Sequence, residues 1–165
     1  MKTLLIIGAG GHGQVVKEIA IACGYNSIDF LDDKIPDAVG KLNDAPFLAP
    51  NYDGVFVAIG NNALRRDISE KMERFEGINI ITLVHPTAYV SLSAIVGKGT
   101  VVEPKAVINA HSRIGEGCII SVGAIVDHDS SIGFYSHINA GGICMAGSKV
   151  DALTKVSAGE VIKGV

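Results

Sequence analysis

The hydrophobic pattern changes period once along the chain, near Pro86. Before that point, short apolar runs alternate with longer amphipathic stretches. Residues 3–7 (T-L-L-I-I) form an unbroken apolar run closed by Gly8, which is the pattern of a strand covered on both faces. Residues 13–23 place Val15, Val16, Ile19, Ala20 and Cys23 at helical spacing and stop at Gly24, a residue suited to a helix end. Residues 27–31 and 54–59 read as a second and a third strand, and 78–83 as a fourth. A helix is predicted over 63–75, with Leu64, Ile68, Met72 and Phe75 on its apolar face and Arg65, Arg66, Asp67, Glu70, Lys71 and Glu73 elsewhere. This alternation predicts a small parallel α/β sheet.

After Pro86 the period is six. Every sixth residue from Val90 gives Val90, Val96, Val102, Ile108, Ile114, Ile120, Val126, Ile132, Ile138, Cys144, Val150, Val156 and Ile162, all apolar. At this chain's apolar content such a run arises by chance about 7 times in 100,000 per phase, so a true repeat is the better explanation. The position four later is small from Ala94 to Thr154 and breaks only at Glu160. A six-residue period fits neither a helix nor a strand meander, but it fits a coil with one short side and one corner per six residues. Three sides close a coil of about 18 residues, in which each branched residue stacks on its counterpart about 4.8 Å away. Residues 90–161 then supply four coils. Such stacks account for a core with no Trp and few Phe and Tyr.

Composition narrows the function classes. Of 165 residues, 48% are hydrophobic and 19% charged, which predicts a folded chain rather than a disordered one. The net charge is -3 and no basic run exceeds Arg65-Arg66, so the cationic footprint of a nucleic-acid binder is missing. Cys23, Cys118 and Cys144 show no paired spacing, which argues against a disulfide or zinc framework and for a reducing compartment. The opening apolar run is interrupted by glycines too early for a signal peptide, and no stretch approaches the roughly 20 residues that span a bilayer. The expectation is a soluble, cytoplasmic protein with no membrane insertion.

Gly8, Gly10 and Gly13 form G-x-G-x-x-G between the first strand and the first helix, where backbone N–H groups favour an anion. Asp32 and Asp33 end the second strand, where a dinucleotide fold places its ribose acid. A nucleotide sugar, NAD or a purely structural turn all fit this segment. His128, between Asp127 and Asp129, is the best candidate for a general base: imidazole is matched to proton removal near neutral pH, and a neighbouring carboxylate orients it. A solvated corner histidine is the alternative. His111 lies 18 residues before Asp129, so the two are expected to stack within reach of an ion pair or hydrogen bond. Gly141 and Gly142 could offer N–H groups to an oxyanion. His12 could reach a phosphate or cap its turn, His85 reads as a linker residue, and Cys118 and Cys144 read as small hydrophobes. The histidines show no metal-ligand spacing, so no metal is expected.

The repeat, together with I-I-G-A-G-G-H-G at 6–13, F-L-D-D-K at 30–34, V-A-I-G-N-N at 57–62 and V-D-H-D at 126–129, resembles the PglD/NeuD-type nucleotide-sugar acetyltransferases of the hexapeptide-repeat acyltransferase family. The likeness covers nearly the whole chain. It implies a Rossmann-like nucleotide-sugar-binding domain at 1–84 and a C-terminally short, left-handed parallel β-helix of about four coils at 85–165. It further implies an acetyl-CoA-dependent N-acetyltransferase acting on a UDP-4-amino sugar for bacterial surface glycan biosynthesis, working as a homotrimer with a site at each subunit boundary. By the same resemblance, Gly8, Gly10, Gly11, His12, Gly13, Asp32, Asp33, Gly60 and Asn61 hold the nucleotide sugar. His128 is the base, Asp129 orients it, and His137, Ala146 and Gly147 contact acetyl-CoA. Two departures stand out. Ser121 occupies the place where family members carry Asn, which alters acceptor contacts, and residues 157–165 lack the Gly-x-Pro-Ala-Lys tail, so donor binding is the function expected to differ most. A shortened, non-catalytic nucleotide-sugar binder, a sialic-acid-type sugar O-acetyltransferase and an NAD-linked oxidoreductase are the other readings.

Overall fold

The structure, a computed structural model, describes residues 1–164; Val165, the last residue of the expected β-helix segment, lies outside them. The chain divides into two compact units, Met1–Ile81 and the remainder from Thr82. The divide falls three residues before the boundary expected at 84/85. Leu83–Val84 pairs in parallel with Val101–Val102 and is the first rung of the repeat. Residues 78–83 therefore do not form the expected fourth strand. The stretch meets the N-terminal sheet through one parallel bridge, Ile80 beside Val55, in which Val55 N–H donates to Asn79 O at 2.8 Å and Ile81 N–H to Val55 O at 3.0 Å.

In the first unit, strands β1 (Thr3–Ile7), β2 (Ser27–Leu31) and β3 (Gly54–Val57) make a parallel sheet in the order β2-β1-β3. The central position of β1 explains its unbroken apolar run, because Leu4, Leu5, Ile6 and Ile7 are covered on both sides. Helix α1 (Gly11–Ala22) starts two residues earlier than its apolar spacing suggested and buries Gly13, Val16, Ile19 and Ala20 while Val15 stays exposed. Between β2 and β3 run two 3-10 turns, Leu42–Asp44 and Ala49–Asn51, around the single-turn helix α2 (Ala45–Leu48). Elements of three or four residues are too short to show a period, so none was predicted.

Helix α3 (Asn62–Glu73) corrects the sequence reading. Its buried residues are Arg65, Ile68, Ser69 and Met72, whereas Leu64 is 50% exposed. Ile68 and Met72 face inward as expected, and the buried face is turned by roughly 50° towards Arg65 and Ser69 and away from Leu64. Arg65, expected on the polar side, is 1% exposed. Its guanidinium donates to the carbonyl of Ile59 at 2.8 Å and to Asn62 Oδ1 at 2.9 Å, so the burial is that of a charge satisfied by carbonyls of the preceding loop.

The second unit is a parallel β-helix of two-residue rungs arranged in three sheets of five, five and four strands. Partners are 18 residues apart throughout, as in Ile120 with Val102 and Ile138. The first face carries Leu83–Val84, Val101–Val102, Ile119–Ile120, His137–Ile138 and Lys155–Val156. The second runs from Tyr89–Val90 to Val161–Ile162, and the third from Ile95–Val96 to Lys149–Val150. All thirteen residues of the six-residue series belong to its core: ten are buried, and Val90, Val96 and Ile162 pack against them. Corners turn through a residue with positive φ, filled by Gly or by Lys105, His111, Asp129, Tyr135 and Leu153. The small positions four after each core residue differ by corner. Between the first and second faces they are Ala88, Ala106, Ala124 and Gly142, and those turns close on themselves, Ala124 N–H donating to Ser121 O at 3.0 Å. At the other two corners hydroxyls recur: Thr100 Oγ1 donates to Gly115 O at 3.0 Å, Ser112 Oγ to Asp127 O at 2.7 Å and Ser136 Oγ to Asp151 O at 2.8 Å, each one coil on.

Candidate active site

In the α/β unit the glycine-rich turn brings three kinds of glycine together. Gly8 has φ +104° and a Cβ there would meet Ala58 O at 2.9 Å; a Cβ on Gly13 would collide with the carbonyl of Gly8. These two residues let α1 press against the sheet. Gly10 and Gly11 of the turn, and Gly60 after the third strand, face open space. Gly13 is therefore a packing residue within this turn. Gly10 caps α1 without a side-chain hydrogen bond, and no acidic residue sits in the first turn, so its amides face outward into a field that favours an anion. The N-terminus of α3, in contrast, is closed by Asn61 Oδ1, which accepts from Leu64 N–H at 2.9 Å. Asn61 is thus occupied as a cap.

Asp32 and Asp33 are also fasteners. Asp32 accepts from Ala9 N–H and Lys34 N–H, both at 2.9 Å, and those bonds, Ala9 first, hold its carboxyl below the usual range. Asp33 accepts from Leu42 N–H at 3.0 Å. The end of β2 is thereby tied to the turn. His12, in the first turn of α1, is pushed down to about 4 by burial and then by the nearby Arg65 charge, so it is neutral at physiological pH. A cleft of about 310 Å³ opens beside this turn, lined by Ala9, Gln14 and Lys17 on one side and Asp29, Phe30 and Asp37 on the other. The sequence reading missed Lys17 and Asp37, which carry no motif.

In the β-helix unit, His128 and Asp129 occupy the corner between the second and third faces. His128 Nδ1–H donates to Asp129 Oδ2 at 2.7 Å, and both side chains are more than half exposed, 54% and 61%. Asp129 has φ +59°, a left-handed conformation that Asp tolerates better than most residues and that turns its carboxylate back onto the ring. This bond fixes the proton on Nδ1 and leaves Nε2 facing solvent as a base. The same bond, and the charge of Asp127 after it, raise the histidine above its ordinary pKa.

The corner is held from the coil before it. Asp127 Oδ1 accepts both His128 N–H at 2.8 Å and Asn109 Nδ2–H at 3.0 Å, which keeps that carboxyl low. Asn109 Oδ1 accepts Ala110 N–H at 2.9 Å. Ser112 Oγ donates to Asp127 O and accepts Ser130 N–H at 3.2 Å, spanning the two ends of the turn that carries His128. Neither Asn109 nor Ser112 was singled out as a site residue, although both lie 18 residues before members of this turn. His111 occupies the equivalent corner position, but Asp129 turns to His128, so the expected His111–Asp129 bond is not made.

Other expected contacts sort less evenly. Gly141 N–H donates to Val122 O and Gly142 N–H to Asn139 O, so neither amide is available to an oxyanion. Gly147 N–H donates to the carbonyl of His128 at 2.9 Å; among the described residues, the amide of Ala146 has no such bond. His137, on the first face, has Nε2 within 2.9 Å of Ser121 Oγ. His85 Nδ1 accepts Thr87 N–H at 3.1 Å, a turn-capping role. Cys118 and Cys144 are buried in the coil, and burial pushes the Cys144 thiol up to about 11. Among the described residues no three His, Cys, Asp or Glu side chains gather as metal ligands, and no helix is long and apolar enough to cross a membrane.

Comparison with known proteins supplies the relatives. Residues 3–72 match the PglD N-terminal domain family. The chain is 37% identical over 119 residues to UDP-N-acetylbacillosamine N-acetyltransferase of Bacillus subtilis (strain 168), an alignment covering 61% of this chain and 51% of that protein. The chain thus spans about half the length of that curated relative. The acetyltransferase domain of PglB from Neisseria gonorrhoeae FA1090 superposes with a TM-score of 0.91 at 37% identity, covering 98% of this chain and 82% of that one. A histidine-to-asparagine variant of perosamine N-acetyltransferase from Caulobacter crescentus, in complex with CoA and GDP-perosamine, superposes with a TM-score of 0.86 at 31% identity, covering 99% and 90%. With a likeness that extends through both the glycine-rich turn and the β-helix, the chain belongs to the PglD-type family of left-handed hexapeptide-repeat acyltransferases.

Proposed function

We propose that this chain is an acetyl-CoA-dependent N-acetyltransferase acting on a nucleotide-linked 4-amino sugar, with UDP as the nucleotide, in bacterial surface glycan biosynthesis. The observation that carries the reading is the His128–Asp129 pair, oriented by a 2.7 Å bond and exposed at a rigid corner. Gly10, Gly11 and the uncapped start of α1 receive the diphosphate. The sugar amine forms a bond to the thioester carbonyl carbon while its proton passes to His128 Nε2. Asp129 stabilises the resulting imidazolium. Collapse of the tetrahedral intermediate breaks the C–S bond, and the departing thiolate takes the proton from His128.

The fold also favours a homotrimer. His128 sits at the corner opposite the first face, where His137 points outward, so the two histidines of one β-helix are kept apart and a second copy supplies the His137 that faces the base. The outward column of the second face is apolar on every rung, Tyr89, Val107, Ile125, Ile143 and Val161, and gives such a contact its surface. The free cysteines and the use of acetyl-CoA support a cytoplasmic location as part of this reading.

A CoA-release assay over UDP- and GDP-linked 4-amino sugars tests the reading, with transfer expected to the UDP-linked acceptor. His128→Ala should fold normally, retain UDP binding by calorimetry and lose about 10²- to 10⁴-fold in turnover. Wild-type turnover in that folded variant would remove the mechanism. Light scattering should give three times the mass of the chain, and a monomer would remove the shared site.

A further inference from the structure

We infer that Asn109 is a positioning residue for the base, holding the turn of His128 from one coil away through Asp127. The inference rests on the assignment of His128 made above. Its observation is a shared oxygen: Asp127 Oδ1 receives Asn109 Nδ2–H at 3.0 Å and His128 N–H at 2.8 Å together. His128 is exposed and makes its own side-chain bond only to Asp129, its neighbour on the same turn. Nothing on that turn fixes where the ring points relative to the β-helix, so the orientation is set by what anchors the turn. Asn109 meets that need because its own amide oxygen is already committed to Ala110 N–H at 2.9 Å, which aims the NH₂ group at Asp127. Asparagine is also the residue that can do this without adding charge, since it donates to one group while accepting from another.

The charged neighbours of this corner are few. Asp127 and Asp129 flank the ring, His111 lies one coil before, and Met145 and Gly147, one coil after, are uncharged. A carboxyl group at position 109 would face Asp127 across about 3 Å, and two such groups ionise together only with difficulty. In Asn109→Asp the pair therefore shares a proton at low pH, preserving the contact, and repels once both ionise. Its kcat should fall progressively below wild type as pH rises, turning a rising profile into a bell. The added negative charge should also move the His128 titration midpoint upward, read by NMR of the ring protons, with His128→Ala identifying the signal. Asn109→Ala should lower kcat about 3- to 30-fold with the KM for acetyl-CoA and the melting temperature little changed.

A wild-type pH profile with an unmoved His128 midpoint in Asn109→Asp would overturn the inference, and so would wild-type kcat in Asn109→Ala should the aspartate variant fail to fold. Failure of the base assignment gives a different result: His128→Ala keeps its turnover, while the NMR midpoint still decides whether position 109 acts on the ring.

Discussion

Gly13 of the α/β unit and Gly115 of the β-helix are both closed to a side chain, and the reasons differ. At Gly13 the obstacle is local, the carbonyl of Gly8 five residues earlier, where one helix presses on one turn. At Gly115 a Cβ would meet Phe134 N at 2.7 Å and Gly133 C at 3.0 Å, backbone of the next coil. Gly133 stands in the same relation to Ala152. The α/β unit concentrates its constraint at one turn, whereas the β-helix repeats a single constraint at Gly97, Gly115 and Gly133, one coil apart. An intrusion at one level therefore disturbs the levels stacked on it.

The largest expected effect uses that contrast. Gly115→Val should cost roughly 4 kcal/mol or more and abolish cooperative unfolding of the β-helix, since backbone cannot yield as a side chain does. Gly13→Val should unfold the glycine-rich turn, with nucleotide affinity lost as a consequence. Gly10→Val, pointing into open space, should leave the thermal melt followed by circular dichroism unchanged and still lose UDP binding by calorimetry. A Gly13→Val protein that melts like wild type would break the comparison.

The two units also differ in what their sequences disclose. The thirteen core residues of the β-helix were legible because a residue's place in the period fixes whether it points inward, whatever lies elsewhere in the chain. His128 and Asp129 were legible for a related reason, being adjacent. In the α/β unit, burial is decided by elements far apart in sequence: Arg65 is inward because the carbonyls of Ile59 and Gly60 wait there, and no helical pattern contains that information. Asp32 and Asp33 were found as polar residues at a strand end and Asn61 through the family resemblance, but their commitment to backbone amides appears only in three dimensions. The amides of Gly141 and Gly142 were misjudged because the coil itself uses them. Asn109 was within reach, since it lies 18 residues before Asp127 by the same spacing that set His111 against Asp129.

A second contrast is electrostatic. His12 is pushed down to about 4, first by burial and then by Arg65, while His128 is raised, first by the Asp129 hydrogen bond. Between about pH 6.5 and 4 the unfolded chain binds a proton at position 12 that the folded α/β unit refuses, so stability falls as pH drops through that window. The loss approaches about 3 kcal/mol at the acid end. His128 has the opposite sign: what it contributes is present below its unfolded value and is lost as pH rises through its folded value, and its exposure keeps that contribution small. His12→Gln should flatten the decline in melting temperature between pH 6.5 and 4.5, a range above the depressed carboxyls of Asp32 and Asp127. An unchanged slope would mean that His12 is not the group refusing the proton.

The smallest effect separates the corners of the β-helix from one another. At the corner of Ala124 the turn closes through its own 3.0 Å bond to Ser121 O, and no hydroxyl takes part. At the corner of His128 the fully buried Ser112 stands between the ends of the turn, donating to Asp127 O at 2.7 Å and accepting Ser130 N–H at 3.2 Å. Ser112→Ala removes both bonds and leaves two buried backbone groups to find each other across the turn. The expected cost is about 1 to 2 kcal/mol, softened if the turn relaxes to the closed form seen at Ala124. Such relaxation would move His128 slightly, so kcat should fall a few-fold while UDP affinity, a property of the other unit, stays at the wild-type value. A Ser112→Ala protein with undiminished stability and full turnover would show that the hydroxyl merely fills space, as alanine does at the first corner.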